Sequence, residues 1–205
     1  GIGIAAYARD INDDGFIDIF LVNDDSNAVF INNGMGTFSD MTGISGLSFN
    51  TGAVMACLAD IDGDRDCDVY IVQEHENSLY LNDGNGTFSE VTDAAGVGDS
   101  TSSCLTRIYD YDYDGDKDIV INDELCNIYY TNDGNATFEK VYFMKESNPS
   151  LDGKSSLFFD FDRDGDSDIL VVDDNARFVG GLGNILYSNN GDGTFSDATV
   201  QANLL

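Results

Sequence analysis

The pattern Asp-x-(Asp/Asn)-x-Asp-x-x-x-Asp occurs four times in this chain, beginning at Asp10, Asp60, Asp110 and Asp160, with fifty residues between starts. Repetition at a fixed period of roughly 20–50 residues marks solenoids, propellers and arrays, in which each unit buries its apolar faces against its neighbours. The loops read Asp10-Ile-Asn12-Asp-Asp14-Gly15-Phe16-Ile-Asp18, Asp60-Ile-Asp62-Gly-Asp64-Arg65-Asp66-Cys-Asp68, Asp110-Tyr-Asp112-Tyr-Asp114-Gly115-Asp116-Lys-Asp118 and Asp160-Phe-Asp162-Arg-Asp164-Gly165-Asp166-Ser-Asp168. Each runs into a short apolar stretch, at 19–22, 69–72, 119–121 and 169–172. An Asn follows (27, 77, 127, 184), then an aromatic-bearing segment, an Asn/Asp-Gly pair, and Thr-Phe at 37–38, 87–88, 137–138 and 194–195. In the fourth unit everything from that Asn onward sits seven residues late, which an insertion within Asn175–Gly183 explains.

These marks predict four strands per unit, here called A to D. Strand A (Ile4–Ala8, Ala53–Ala59, Cys104–Tyr109, Leu157–Phe159) enters the acidic loop and strand B leaves it. Strand C carries Phe30, Tyr80, Tyr130 or Tyr187, and strand D carries the Thr-Phe pair. Asn-Gly and Asp-Gly between two such runs are strong hairpin signals. Strand B is apolar on both faces, so each sheet must be covered on both sides, as stacked blades would do. Nothing reads as a long helix, and the single proline, Pro149, falls between units three and four. The fold class expected is all-β, with four four-stranded antiparallel β-propeller blades at about 1–48, 49–98, 99–150 and 151–205, treated as one domain.

Oxygen donors at positions 1, 3, 5 and 9 of a short loop suit a hard cation such as Ca²⁺, which takes about six to eight oxygens at ~2.3–2.6 Å. The side-chain donors would be Asp10, Asn12, Asp14 and Asp18; Asp60, Asp62, Asp64 and Asp68; Asp110, Asp112, Asp114 and Asp118; and Asp160, Asp162, Asp164 and Asp168. Position 7 (Phe16, Asp66, Asp116, Asp166) would add a backbone carbonyl, and Phe16 shows that its side chain need not ligate. An EF-hand would require Glu at position 12 and flanking helices. Position 12 here is Leu21, Ile71, Ile121 or Val171, inside a strand. Plain solvated turns remain the alternative, but turns do not require carboxylates at fixed alternate positions. Up to four Ca²⁺ are expected, structural rather than catalytic.

The chain resembles the FG-GAP/VCBS-type repeats, most closely the ASPIC-associated branch that includes cartilage acidic protein. The resemblance rests on the Asp-Tyr-Asp-Tyr-Asp-Gly-Asp-Lys-Asp loop at 110–118. It rests also on Leu-Tyr-Leu-Asn-Asp-Gly-Asn-Gly-Thr-Phe-Ser-Glu-Val-Thr at 79–92, followed by Asp-Ala-Ala-Gly-Val. It implies an integrin α-subunit-like propeller with Ca²⁺ in the A–B hairpin, in secreted or surface-exposed proteins. Arg65 in place of glycine at loop position 6, and Asn12 in place of an aspartate, depart from the pattern. Arg65 makes the second loop the weakest candidate, since it lacks glycine's access to positive φ. Both a closed four-blade ring and a segment of a larger, about seven-bladed propeller fit four units, and the segment is favoured. A segment would leave two blade faces open to self-association.

The net charge of −29 comes from 32 Asp and 6 Glu against nine Lys and Arg, and four Ca²⁺ would leave about −21. That balance excludes nucleic acid and anionic membrane surfaces, which require a basic footprint. The longest apolar stretch is about seven residues, too short for membrane insertion as a helix. Four cysteines are too few for a disulfide scaffold. Cys104 and Cys126 could pair, with 104 opposite 124 in a hairpin symmetric about the loop; Cys57 and Cys67 are a weaker pair, since 57 falls opposite 71. Asn85-Gly-Thr and Asn135-Ala-Thr match the glycosylation pattern but belong to the repeated turn.

The function expected is a calcium-binding extracellular, cell-surface or periplasmic recognition or adhesion module with an unidentified protein or glycan ligand. The variable B–C loops (Asp24–Ser26, Glu74–Glu76, Asp123–Cys126, Asp173–Gly183) would carry specificity, above all the last, with Arg177 and Phe178. The alternatives are the propeller domain of a carbohydrate-active enzyme and a passive spacer in a larger surface protein. No catalytic constellation stands apart from the cages; the one histidine, His75, sits in a Glu-His-Glu loop without repeat equivalents. The chain is therefore read as no enzyme.

Overall fold

The computed structural model describes residues 2–47, 52–98, 105–122, 127–142, 153–173, 184–191 and 194–204. Cys104 and Cys126 with their proposed bridge, Pro149, and the loop segments 123–126 and 174–183 lie outside the described residues.

Sixteen strands form four antiparallel four-stranded sheets, each in sequence order. The first is β1 (Gly3–Arg9), β2 (Asp18–Asn23), β3 (Ala28–Asn32) and β4 (Phe38–Asp40). The second is β5 (Ala53–Ala59), β6 (Asp68–Gln73), β7 (Ser78–Asn82) and β8 (Phe88–Glu90), followed by one helical turn, α1 (Thr92–Ala95). The third is β9 (Leu105–Tyr109), β10 (Asp118–Asn122), β11 (Asn127–Asn132) and β12 (Phe138–Tyr142). The fourth is β13 (Gly153–Phe159), β14 (Asp168–Asp173), β15 (Ile185–Asn189) and β16 (Phe195–Asp197). This is the expected all-β arrangement of blade-like sheets. No helix among the described residues is long and apolar enough to cross a membrane.

The A–B hairpins share one register, in which the residue before the loop pairs with loop position 9: Arg9 with Asp18, Ala59 with Asp68, Tyr109 with Asp118 and Phe159 with Asp168. This corrects the symmetric pairing read from the sequence by one residue. Cys57 stands opposite Tyr70, not residue 71, and Cys67 precedes β6 altogether. The two are thiols and form no bridge, because the register sets them in different rows. Burial pushes the Cys67 thiol up to about 11, against the lowering effect of Arg9. β13 begins four residues before the apolar run that announced it, since its first residues, Gly153 to Ser156, are polar or small.

The C–D connection takes five residues rather than the two an Asn-Gly pair suggests. Asn32 pairs with Phe38, and Asn82 with Phe88, across it. Asn33 N–H donates to the Thr37 carbonyl at 3.0 Å, and Asp83 N–H to that of Thr87 at 2.9 Å. Asn85 and Asn135 turn their amides onto the carbonyls of Asp83 and Asp133, so both serve the turn, as their place in the repeat suggested. The Asn that recurs before strand C also has a local task. Asn27 and Asn77 are buried and accept the N–H of Asn23 and Gln73, closing the B–C turn.

The chain falls into two compact units, Gly1–Ser102 with Asn132–Phe138, and Ser103–Thr131 with Glu139–Leu205. In the first, Ile11, Phe20, Val22 and Val29 of one sheet pack with Ala56, Val69, Ile71, Tyr80 and Phe88 of the next. In the second, Tyr111, Val120 and Tyr129 pack with Ile169, Val171, Ile185 and Tyr187. Counted by repeat position the two cores use nearly the same rows. β6 is buried on both faces, with Val69, Tyr70, Ile71 and Val72 wholly inaccessible. Each such side chain contributes about 1.5–3 kcal/mol relative to exposure.

The segment after strand D clamps the next sheet. In the first unit Phe88 N–H donates to the Ser45 carbonyl at 2.7 Å. Gly46, at φ +85°, lies so close that a Cβ there would meet the Phe88 carbonyl oxygen at 2.5 Å. Gly46→Ala is therefore expected to destabilise the protein by about 2–4 kcal/mol, combining left-handed strain with a backbone overlap. Gly43→Ala, where a Cβ meets nothing within 4 Å, should be near neutral. Urea unfolding of the two variants checks the contrast.

Candidate metal centre

Loop geometry follows from the acidic side chains capping their own backbone. The carboxylate at position 5 accepts the N–H at position 7: Phe16 to Asp14 at 2.8 Å, Asp66 to Asp64 at 3.1 Å, Asp116 to Asp114 at 2.9 Å and Asp166 to Asp164 at 3.0 Å. Position 1 accepts further N–H groups, from Asp14 and Gly15 onto Asp10, Gly63 onto Asp60, and Arg163 and Gly165 onto Asp160. Two left-handed residues complete each turn, at positions 4 and 6. They are Asp13 and Gly15, Gly63 and Arg65, Tyr113 and Gly115, and Arg163 and Gly165.

Arg65 meets the backbone requirement of the second loop that glycine meets in the others. It adopts φ +84°, close to the +87° of Gly15, and its loop carries glycine at position 4 instead. Every loop has one glycine and one strained residue, so Arg65 exchanges the order without adding a cost the other loops lack.

Position 9 is the centre of each site. Asp18, Asp68, Asp118 and Asp168 are fully buried. One carboxylate oxygen accepts the N–H of position 2: Ile11 at 2.8 Å, Ile61 at 2.7 Å, Tyr111 at 2.9 Å and Phe161 at 2.7 Å. In three blades the other oxygen accepts the N–H of the last strand C residue: Asn32 at 2.7 Å, Asn82 at 2.9 Å and Asn189 at 2.9 Å. The aspartate therefore pins the acidic loop to the C–D turn.

Positions 1, 3 and 9 converge. Carboxylate oxygens of Asp60, Asp62 and Asp68 lie within 4.8 Å of one another, as do those of Asp110, Asp112 and Asp118 and of Asp160, Asp162 and Asp168. These three triads could hold a metal ion. The position 5 carboxylates stand outside the triads. At position 7 the side chain folds over the turn glycine: a Cβ on Gly34, Gly84 or Gly191 would meet Phe16 at 2.6 Å, Asp66 at 3.1 Å or Asp166 at 2.6 Å. That contact has no signal in the sequence beyond the glycine itself.

Three carboxylate or amide oxygens of the acidic loops are buried without a hydrogen-bond partner: one on Asp66 at position 7, and two on the side-chain donors Asn12 and Asp110. Asn12 donates its amide to Asp14 at 3.1 Å, while its Oδ1 is buried without a hydrogen-bond partner. Asp110 Oδ1 is likewise buried without one. A buried oxygen left bare costs about 1–3 kcal/mol, so the first loop fits a metal in spite of its amide.

Electrostatics point the same way. Two like charges 4.8 Å apart repel by about 3–4 kcal/mol at an effective dielectric near 20. Burial raises Asp18, Asp62, Asp112 and Asp168 above the usual carboxylate range. It carries Asp66 and Asp68 to about 7, in Asp68 against the two N–H groups that favour its charge.

Such groups bind a proton more tightly folded than unfolded, so the charged form weakens the metal-free fold. With metal chelated, stability should rise as pH falls from about 8 to about 5, the gain being complete below the unfolded pKa near 3.8. With saturating divalent metal the trend should reverse, since protons then displace the ion. Thermal melts across pH in chelator and in metal check the crossing. Arg65→Gly should add about 0.5–1 kcal/mol in either condition by relieving the left-handed strain.

The family described as FG-GAP-like repeat matches residues 10–71, 60–121 and 110–171, each match spanning two successive acidic loops. No curated protein matches the chain. Among solved structures, a lectin from Agrocybe aegerita, described for specific recognition of non-reducing terminal N-acetylglucosamine, superposes at a TM-score of 0.61 with 20% identity. That match covers 94% of this chain and 50% of the lectin, so the chain spans about half the length of the structure it resembles. The pore form of the Photorhabdus luminescens Tc holotoxin aligns at a TM-score of 0.48 and 14% identity, over 87% of this chain and 8% of that one. With overlapping repeat matches running from the first acidic loop to the strand beyond the fourth, the chain belongs to the FG-GAP-like repeat family.

Proposed function

We propose that the chain is a calcium-stabilised recognition or adhesion module of an extracellular, cell-surface or periplasmic protein, of the ASPIC-associated, integrin α-like kind. The observation that carries this reading is the recurrence of one cage: a buried aspartate at position 9 in all four loops, oxygens at positions 1, 3 and 9 converging in three of them, and bare buried oxygens on Asn12 and Asp110. All donors are hard oxygens, with no histidine or thiolate among them, which favours Ca²⁺ over softer transition metals. Charge relief also favours it, because each ion would offset two of the excess negative charges.

Calcium here acts on stability. It supplies the positive charge that lets Asp18, Asp68 and Asp168 ionise in place, and the protein's own N–H groups orient the carboxylates. Nothing in the cages presents a substrate to an acid, base or nucleophile, so we read the chain as a binding module without catalysis. A ligand surface is supported by a hollow of about 320 Å³ between β9 and β13. Tyr109 and Phe158 stack there at 6.4 Å beside Arg107. That volume lies at the small end of ligand pockets and suits a sugar ring or a short side chain. The lectin sharing this fold makes glycans the first ligand class to screen.

Bound-metal analysis should find up to four Ca²⁺ per chain, and added Ca²⁺ should raise the melting temperature strongly over chelator. A thousandfold excess over Kd contributes about 4 kcal/mol per site. No bound metal and no shift would sink the calcium reading. A glycan and protein array with and without Ca²⁺ should give a specific, calcium-dependent ligand; a passive spacer would bind nothing.

A further inference from the structure

Strand A breaks the repeat at the residue three places before each acidic loop, where Tyr7, Cys57, Arg107 and Leu157 stand at equivalent positions. In the first unit Tyr7 closes the junction between β1 and β5. Its ring packs on the shared core and lies 6.2 Å from that of Phe20, and its hydroxyl accepts the Ala56 N–H at 2.9 Å. The equivalent junction of the second unit lies between β9 and β13. There Arg107 takes the place of Tyr7, and buried Ser156 the place of Ala56. The hollow of about 320 Å³ lies at this junction, where a cationic side chain has replaced the ring.

The lining of the hollow sets what it can hold. Its described residues are Arg107, Ile108, Tyr109, Ser156, Leu157 and Phe158. None of them is acidic, although the chain carries 38 Asp and Glu. A guanidinium presents a planar fork that fits a carboxylate with two parallel hydrogen bonds. Beside it, Tyr109 and Phe158 stack with 29° between their rings and form an apolar wall with Leu157. Aromatic faces are electron-rich and favour the C–H bonds on one face of a sugar ring. A bare anion would use the arginine alone, and a neutral sugar the wall alone. A sugar carrying a carboxylate uses both.

We propose that the hollow between β9 and β13 binds a hexuronate, the carboxylate-bearing terminal sugar of a glycan, with Arg107 on its carboxylate and Tyr109 and Leu157 against its ring. The proposal rests on the recognition-module reading and narrows its ligand class. β9 and β13 run directly into the acidic loops at Asp110 and Asp160. A cation held in those loops would reduce the repulsion that an anionic sugar meets.

Calorimetric titration of the full chain in saturating Ca²⁺ tests it, with methyl β-glucuronide, methyl β-glucoside and acetate as probes. The glucuronide should bind with a Kd on the order of 1 mM, as suits a single ring. The glucoside and acetate should each bind about tenfold more weakly. Arg107→Gln should bring the glucuronide to the level of the glucoside and leave the glucoside unchanged, a split that a merely structural role would not produce. Arg107→Tyr restores the residue of the first blade and should abolish binding of both sugars. Glucuronide binding no tighter than glucoside or acetate overturns the proposal. So does a preference that survives Arg107→Gln, or binding that survives Arg107→Tyr. If none of the probes binds while a glycan array still yields a ligand, the hexuronate assignment fails and the recognition reading stands; an array without a ligand removes both.

Discussion

The buried aspartate at loop position 9 is the interaction on which the remaining structure depends. A carboxylate removed from water is costly unless its oxygens are satisfied. In three blades its two oxygens take two N–H groups, one from its own loop and one from the end of strand C. That fixes the acidic loop and the C–D turn to one point, although up to twenty-one residues separate them. The two bonds do not hold Asp68 in the usual carboxylate range, since burial still lifts it to about 7. A cation held by the triad would complete the balance, so that the blade's geometry and its charge would be settled at the same atom.

This point communicates with the neighbouring blade. Ile11 gives its N–H to Asp18 and receives Asn82 and Cys67 on its carbonyl. The pattern repeats at Ile61, which donates to Asp68 and accepts Asn132 at 2.7 Å. One peptide thus joins a blade's own cage to the next blade's turn. Coupling between nearest neighbours, in a fixed direction along the chain, is what a one-dimensional repeat stack is built from.

Much of this was legible in the sequence because the repeat aligns chemically equivalent positions. The acidic spacing, the apolar strand B and the Thr-Phe pair located all sixteen strands and the insertion in the fourth unit. Register was harder: a symmetric hairpin and the observed one differ by a single residue, and composition does not distinguish them. The polar opening of β13 carries no apolar signal. Arg65 looked like a defect, because glycine at position 4 and glycine at position 6 serve the same two left-handed residues, and only backbone angles reveal the exchange. The asparagine latch was hidden for another reason. Asn82 and Asn132 read as turn residues, and their reach into the preceding blade depends on stacking, which a single unit does not encode.

Phe16 shows what that closeness of loop and turn makes visible. Its ring tip stands where a Cβ of Gly34 would be, 2.6 Å from that ideal position. An aromatic ring so placed shifts the magnetic resonance of the glycine α-protons against it. Those protons therefore report the shape of the first acidic loop from the opposite hairpin. Because no other blade has an aromatic residue at this position, the signal isolates one cage from three near-identical ones, and its filling can be followed alone within the intact chain.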